Sequence, residues 1–227
     1  MGGIDKQKLN SRRRPTTAVM NRVMRSLGGR YDYTRFVRTH GPDPFRILIG
    51  CVISLRTKDE VTYPATERLF GRAASPQQML RLRETTIAKL IYPAGFYRRK
   101  AGQIRAISRA LIEDHDGSVP DTIDALLELP GVGRKTANLV VTLGFDKPGI
   151  CVDVHVHRIT NRLRWVRTKQ PDETEQVLRT VLPRRHWIPI NEILVRHGQQ
   201  VCKPISPVCS SCPVEPDCPK VGVQRSR

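Results

Sequence analysis

Apolar residues recur at three- and four-residue spacing through nearly the whole chain, and no stretch alternates apolar with polar over the length of a strand. That regularity restricts the chain to packed helices, interrupted wherever Pro, Gly or a short polar side chain stops one and caps the next. Thr16 or Thr17 can open a helix carrying Val19, Val23, Met24 and Leu27, with Gly28-Gly29 ending it. Asp43-Pro44 is a cap and first-turn signal ahead of Phe45 to Leu55. This run is apolar on almost every side and suits a central buried helix, although its β-branched residues would also allow a strand. Ser75-Pro76 starts a short helix, and Ile87, Leu90 and Ile91 mark another that breaks at Pro93-Ala94-Gly95. Ala101, Ile104, Ile107, Leu111 and Ile112 keep the period until Asp116-Gly117. Asp121 is placed to cap a helix bearing Ile123, Leu126 and Leu127, and Thr136 to Leu143 resumes the spacing. Further patterns cover 154–164, 172–182 and 188–200; beyond Cys202 the chain is too rich in Pro, Cys and Ser for an element of its own. The expected architecture is all-α, with roughly ten short helices and brief connections.

At 227 residues, 39% of them apolar, the chain can bury one core or two small ones. Lys and Arg number 39 against 21 Asp and Glu, a net charge of +18. An excess of this size points to a polyanionic partner, nucleic acid first. An anionic membrane surface would call for a basic helix with bulky apolar residues opposite the charge, and no such helix stands out. No apolar run approaches the roughly 18–20 residues that span a bilayer. The opening MGGIDKQKLNSRRRP is polar, unlike a secretory signal, and Lys6 breaks the myristoylation pattern. A soluble intracellular protein with no membrane partner is expected, with basic tails in the first dozen residues and the last few.

Between two helical patterns stands Leu129-Pro130-Gly131-Val132-Gly133-Arg134-Lys135. Pro130 fixes φ, the glycines open conformations closed to other residues, and Val132 can pack back between the helices. Bare backbone at Gly131 and Gly133, beside the start of the next helix, can hold a phosphate oxygen. A plain helix–helix turn is the competing reading of GxG alone; the full LPGVG in so basic a chain favours the phosphate. Lys135 is either a solvated charge or a nucleophile. For a lysine to be a nucleophile, its amine must titrate about 3 units below its ordinary value, roughly 4 kcal/mol of destabilised charge. A helix N-terminus, the adjacent Arg134 and partial burial all push that way. Asp153 reads as a helix N-cap worth about 1 kcal/mol. His155 and His157, two apart, make a poor metal pair; His155 is expected at a pocket wall at most, His157 in packing or on the surface.

Cys202-x6-Cys209-x2-Cys212-x5-Cys218 places four soft ligands on one loop. In an intracellular chain this suggests metal before disulfides. Four thiolates suit zinc, although zinc sites more often carry two C-x2-C pairs, and they also suit an iron–sulfur cluster. Cys51 and Cys151, in apolar surroundings, are expected to be buried and inert.

LPGVGRKTANLVV, then VDVHVHRITNRL, then the cysteine spacing, in that order, resemble the endonuclease III family of DNA glycosylases, within the helix-hairpin-helix glycosylase superfamily. The likeness runs from about Pro44 to Cys218. It implies a helical barrel lobe over 37–147 containing the hairpin, and a cluster lobe from 1–36 with 148–227, with DNA in a basic cleft between them. It implies that Lys135 attacks C1′ of a damaged nucleotide, displaces the base and leaves an imine from which the 3′ phosphate departs by β-elimination. Asp153 would activate the lysine and stabilise charge on the sugar. Leu129, Gly131, Val132 and Gly133 would hold the DNA backbone. Cys202, Cys209, Cys212 and Cys218 would ligate a [4Fe-4S] cluster with a structural role, presenting Lys203 to phosphates. A flipped nucleotide leaves a gap, and by position Arg56 and Phe96 would fill it, where the best-known members carry Gln and Leu.

The implied partner is double-stranded DNA with oxidised or ring-saturated pyrimidines or an abasic site, acted on by a monomer that, if the source is prokaryotic, is cytoplasmic and nucleoid-associated. A mismatch-directed glycosylase, a non-catalytic DNA-binding module and an electron carrier are the rival readings. Two features depart from the family pattern. Pro64 falls inside the expected second barrel helix and predicts a kink or a shorter helix. KPISPV offers only Lys203 to phosphate, predicting a weaker grip.

Overall fold

The computed structural model describes residues 14–31 and 43–227. The expected N-terminal basic tail and the expected lobe boundary at 36/37 lie outside the described residues. Every regular element among them is helical. In chain order they are α1 (Thr17–Gly28), α2 (Pro44–Ser54), α3 (Asp59–Phe70), α4 (Pro76–Arg81), α5 (Glu84–Ile91) and α6 (Tyr97–Asp114). There follow α7 (Ile123–Glu128), α8 (Arg134–Leu139), α9 (Val154–Arg162), α10 (Pro171–Val181) and α11 (Ile190–Gln200). The protein is thus all-α, and no helix among the described residues is long and apolar enough to cross a membrane.

The chain divides into two compact units, Thr34–Gly149 and Met1–Tyr33 with Ile150–Arg227, each around its own apolar core. In the first, α2 is central. The Asp43 carboxylate accepts from the Phe45 N–H at 2.9 Å, and Pro44 supplies the first turn, so the β-branched run folds as a helix. It packs against α3, α6 and α8. Ile47, Leu48, Ile49 and Ile53 are fully buried, each contributing about 1.5–3 kcal/mol relative to exposure. In the second unit α11 packs on α1 and α9, with Trp165 fully buried.

Local expectations change in four places. The helix α3 runs through Pro64 and is not shortened; the bond that proline cannot donate would go to Glu60, and both residues are exposed, where water can serve that carbonyl. The cap of α7 is Thr122, whose hydroxyl accepts from the Ala125 N–H, while Asp121 pairs with Lys147. Thr caps a helix nearly as well as Asp, and the ion pair leaves that role to Thr122. The period of α8 does not hold to Leu143: it widens into a π-helical turn, Val140–Gly144, where the Thr142 hydroxyl donates to the Asn138 carbonyl at 2.7 Å. Finally, the cysteine-rich stretch forms short 3₁₀ turns, Cys209–Ser211 and Glu215–Asp217.

Candidate functional site

The hairpin of α7 and α8 is anchored from beneath and bare above. Leu129 and Val132 are 2% and 6% exposed, and the Val132 N–H donates to the Leu129 carbonyl at 3.1 Å, closing the turn. Gly131 has φ +70, a left-handed conformation that favours glycine. Gly133 caps α8 without any side-chain bond, and a Cβ there would meet nothing within 4 Å. Gln103 of α6 braces the turn, its side-chain amide donating to the carbonyls of Pro130 and Gly131 at 3.3 and 3.1 Å. Nothing in the sequence marks Gln103, which sits among ordinary polar residues of a long helix.

Lys135 is the second residue of α8, and it is exposed. Of the three influences that would depress its amine, partial burial is absent here, because the buried side of this short helix is made by Thr136, Ala137 and Asn138. Beneath lies Cys51 of α2, buried like Cys151. Burial pushes the Cys51 thiol up to about 12, and the charge of Lys135 pulls the other way. Such a thiol is inert at neutral pH.

The structure brings Arg56 and Phe96 together. Each has a left-handed φ, 51 and 57, and the Arg56 guanidinium stands 5.6 Å from the centroid of the Phe96 ring. Phe96 is 60% exposed, so it is no core aromatic. Leu55, next to Arg56 in the chain, and Tyr92, whose ring packs edge-on against Tyr97, are also exposed.

In the second unit Asp153 caps α9, Oδ1 accepting from the N–H groups of His155 and Val156, each at 2.9 Å. This is the cap that the sequence predicts. The His155 Nδ1 lies 3.0 Å from Arg158 Nη2. His157 lies 2.7 Å from the Thr174 hydroxyl and is a packing residue between α9 and α10.

All four clustered cysteines are half-buried and line one cavity with Ile159, Leu163, Val201, Val208 and Val214. Among the described residues no three Cys, His, Asp or Glu side chains are grouped to hold a metal ion. Four thiols around an apolar space are the donor set that an iron–sulfur cluster takes. Arg162, which no sequence pattern singles out, holds the loop. Its guanidinium donates to the carbonyls of Lys203 and Pro204, both at 2.7 Å, and to Cys202 Sγ at 3.3 Å. Lys203 itself is exposed.

An all-helical fold carrying a glycine hairpin of this kind defines a helix-hairpin-helix protein. A family model described as HhH-GPD superfamily base excision DNA repair protein matches residues 49–184. Endonuclease III of Thermotoga maritima is 48% identical over 185 residues, covering 81% of this chain and 87% of that protein. Endonuclease III homolog 1, chloroplastic, of Arabidopsis thaliana is 43% identical over 184 residues, covering 77% of this chain and 48% of its own length; the chain spans about half of that plant relative. Among solved structures, a trapped endonuclease III–DNA covalent intermediate in an estranged-adenine complex is 30% identical, with a TM-score of 0.76 over 96% of this chain and 97% of that one. The chain belongs to the HhH-GPD superfamily of base excision DNA repair proteins and, within it, to the endonuclease III family of DNA glycosylases.

Proposed function

We propose that this protein is a bifunctional DNA glycosylase and abasic-site lyase, acting as a monomer on oxidised or ring-saturated pyrimidines in duplex DNA. The observation that carries this reading is an exposed lysine, Lys135, in the first turn of the helix that follows a bare glycine bend. Backbone N–H groups at Gly131 and Gly133 hold a phosphate, with the buried Leu129 and Val132 keeping the bend rigid. The Lys135 amine, uncharged, attacks C1′: the N–C bond forms as the glycosidic bond breaks, and the base leaves with the electron pair. Opening of the sugar ring gives an imine, C2′ loses a proton, and the C3′–O bond breaks to expel the 3′ phosphate. Protein packing leaves Lys135 wet, so the bound nucleotide itself supplies the exclusion of water. Asp153, its carboxylate oriented by the cap it makes, stabilises positive charge developing on the sugar.

Cys202, Cys209, Cys212 and Cys218 would hold a [4Fe-4S] cluster, which when bound cross-links four points of a loop with little helix of its own. That loop offers Lys203 to a phosphate. Arg56 and Phe96 occupy the gap that the flipped nucleotide leaves.

Borohydride trapping tests the reading. Wild type should form a covalent adduct with duplexes carrying thymine glycol or an abasic site, and Lys135→Ala should form none while still binding. Binding without any adduct in wild type would leave a DNA-binding module. An adduct confined to mismatched duplexes would replace the substrate class.

A further inference from the structure

One buried side chain connects the two residues of the exposed corner. Lys100 lies in α6 one turn after Phe96, and its main-chain N–H donates to the Phe96 carbonyl at 3.0 Å. The residue is 4% exposed. Its ammonium donates to the carbonyls of Ile53 and Leu55 at 2.7 and 2.6 Å and to the Thr57 hydroxyl at 2.8 Å, which uses all its donors. The two carbonyls stand at the C-terminal end of α2, where the helix dipole concentrates negative charge. Arg56 sits between two of the three residues so held. The Thr57 hydroxyl also accepts from the Gly95 N–H at 3.1 Å, next to Phe96. The two loops touch so closely that a Cβ on Gly95 would stand 2.6 Å from the Arg56 carbonyl oxygen.

A buried ammonium paired with neutral oxygens only is a poor way to stabilise a core. Burial lowers its pKa to about 8, and an apolar residue of similar length would serve packing as well. What the charge does achieve is to fix two segments at once. Each presents a non-glycine residue with positive φ, a conformation that persists only where surroundings over-determine it. We propose that Lys100 is a positioning residue that locks Arg56 and Phe96 into a single wedge for entering the duplex; this rests on the reading of those two as gap-filling residues.

The test uses a duplex with a non-cleavable tetrahydrofuran abasic analogue and 2-aminopurine on the opposite strand, so that base displacement is read without any lyase chemistry. Saturating wild type should brighten the probe, and Lys100→Met should bind yet leave it dim. In parallel, nicking of a true abasic site should fall about tenfold or more in duplex DNA for Lys100→Met, as expected of lost positioning. On the same site in single-stranded DNA, where no partner strand has to be displaced, its rate should match wild type. Thr57→Val, which removes only the shared hydroxyl, should shift both readouts in the same direction by less, and it decides the matter if Lys100→Met does not fold. Equal losses on both substrates, or an undiminished 2-aminopurine signal, would overturn the proposal. Wild type that brightens the probe but nicks neither substrate would sink the lyase reading and leave the wedge standing.

Discussion

The glycine hairpin at 129–133 and the corner formed by Arg56 and Phe96 belong to the same unit, yet they are built in opposite ways. The hairpin is held by burial: Leu129 and Val132 go into the core, and the exposed surface is backbone that glycine leaves uncovered. The corner is held by charge: a buried ammonium gathers carbonyls from the end of one helix and a hydroxyl from the loop beyond it, and the exposed surface is large side chains. Burial is indifferent to pH, whereas a lone buried cation is not. The hairpin should therefore carry chemistry on a scaffold that conditions hardly touch, and the corner should be the tunable part.

The sharpest separation comes from Lys135→Ala. It should lower lyase turnover by about three orders of magnitude or more, as loss of a covalent nucleophile does. The melting temperature should stay unchanged, because the residue is exposed. Single-turnover nicking and thermal melting check the two halves, and a melting point that falls with activity would mean that the lysine is structural. Next in size is Leu129→Ala. Deleting a buried leucine costs about 2–5 kcal/mol, so urea denaturation should show a large loss of stability. If the loss is small, the hairpin is not held by burial and the contrast fails.

These two regions also differ in how far the sequence exposes them. The hairpin is legible because proline and glycine act locally: five consecutive residues specify the bend, and the helical period on either side places Leu129 and Val132 inward. The Asp153 cap and the all-helical architecture are legible for the same reason. The corner is not. Tyr97-Arg98-Arg99-Lys100 reads as a solvated basic face, and nothing local shows that acceptors more than forty positions away pull Lys100 inside. Phe96 reads as well for a core residue as for an exposed one until its left-handed backbone turns it outward. Lys135 is legible only in part: its place in the first turn of a helix can be read from the sequence, but whether that turn faces solvent depends on which side packs, and Thr136, Ala137 and Asn138 take the buried side. Cysteine spacing announces a ligand loop, but the long reach from Arg162 to the Lys203 and Pro204 carbonyls that shapes it has no sequence signature.

Lys100 gives the contrast a pH axis. Its folded pKa is about 8 against an ordinary 10.5, so between those values the unfolded chain binds more protons than the folded one. Stability must then rise with pH across that window, and the cost of the buried charge is fully present below it. The difference in unfolding free energy between wild type and Lys100→Met, followed by urea melts from pH 7 to 10.5, should move in favour of wild type as pH rises. A flat difference would mean that the ammonium is not held as a buried charge. Leu129→Ala, measured alongside, should show the same deficit at every pH.

The smallest expected effect on the fold is also the most specific for the hairpin. A methyl group added at Gly133 meets nothing within 4 Å, and its φ of −99° suits any residue. Gly133→Ala should therefore change stability by no more than about 0.5 kcal/mol, like other substitutions that touch nothing. Yet it places a Cβ on the face proposed to approach phosphate. DNA affinity should fall by a similar factor for lesion-bearing and undamaged duplexes, because a phosphate contact carries no sequence or lesion information. Arg56→Ala should instead weaken lesion duplex selectively. If Gly133→Ala leaves affinity intact, the bare backbone is only a turn; if it discriminates lesion from normal DNA, the hairpin reads the damaged nucleotide and the division of labour between bend and corner has to be redrawn.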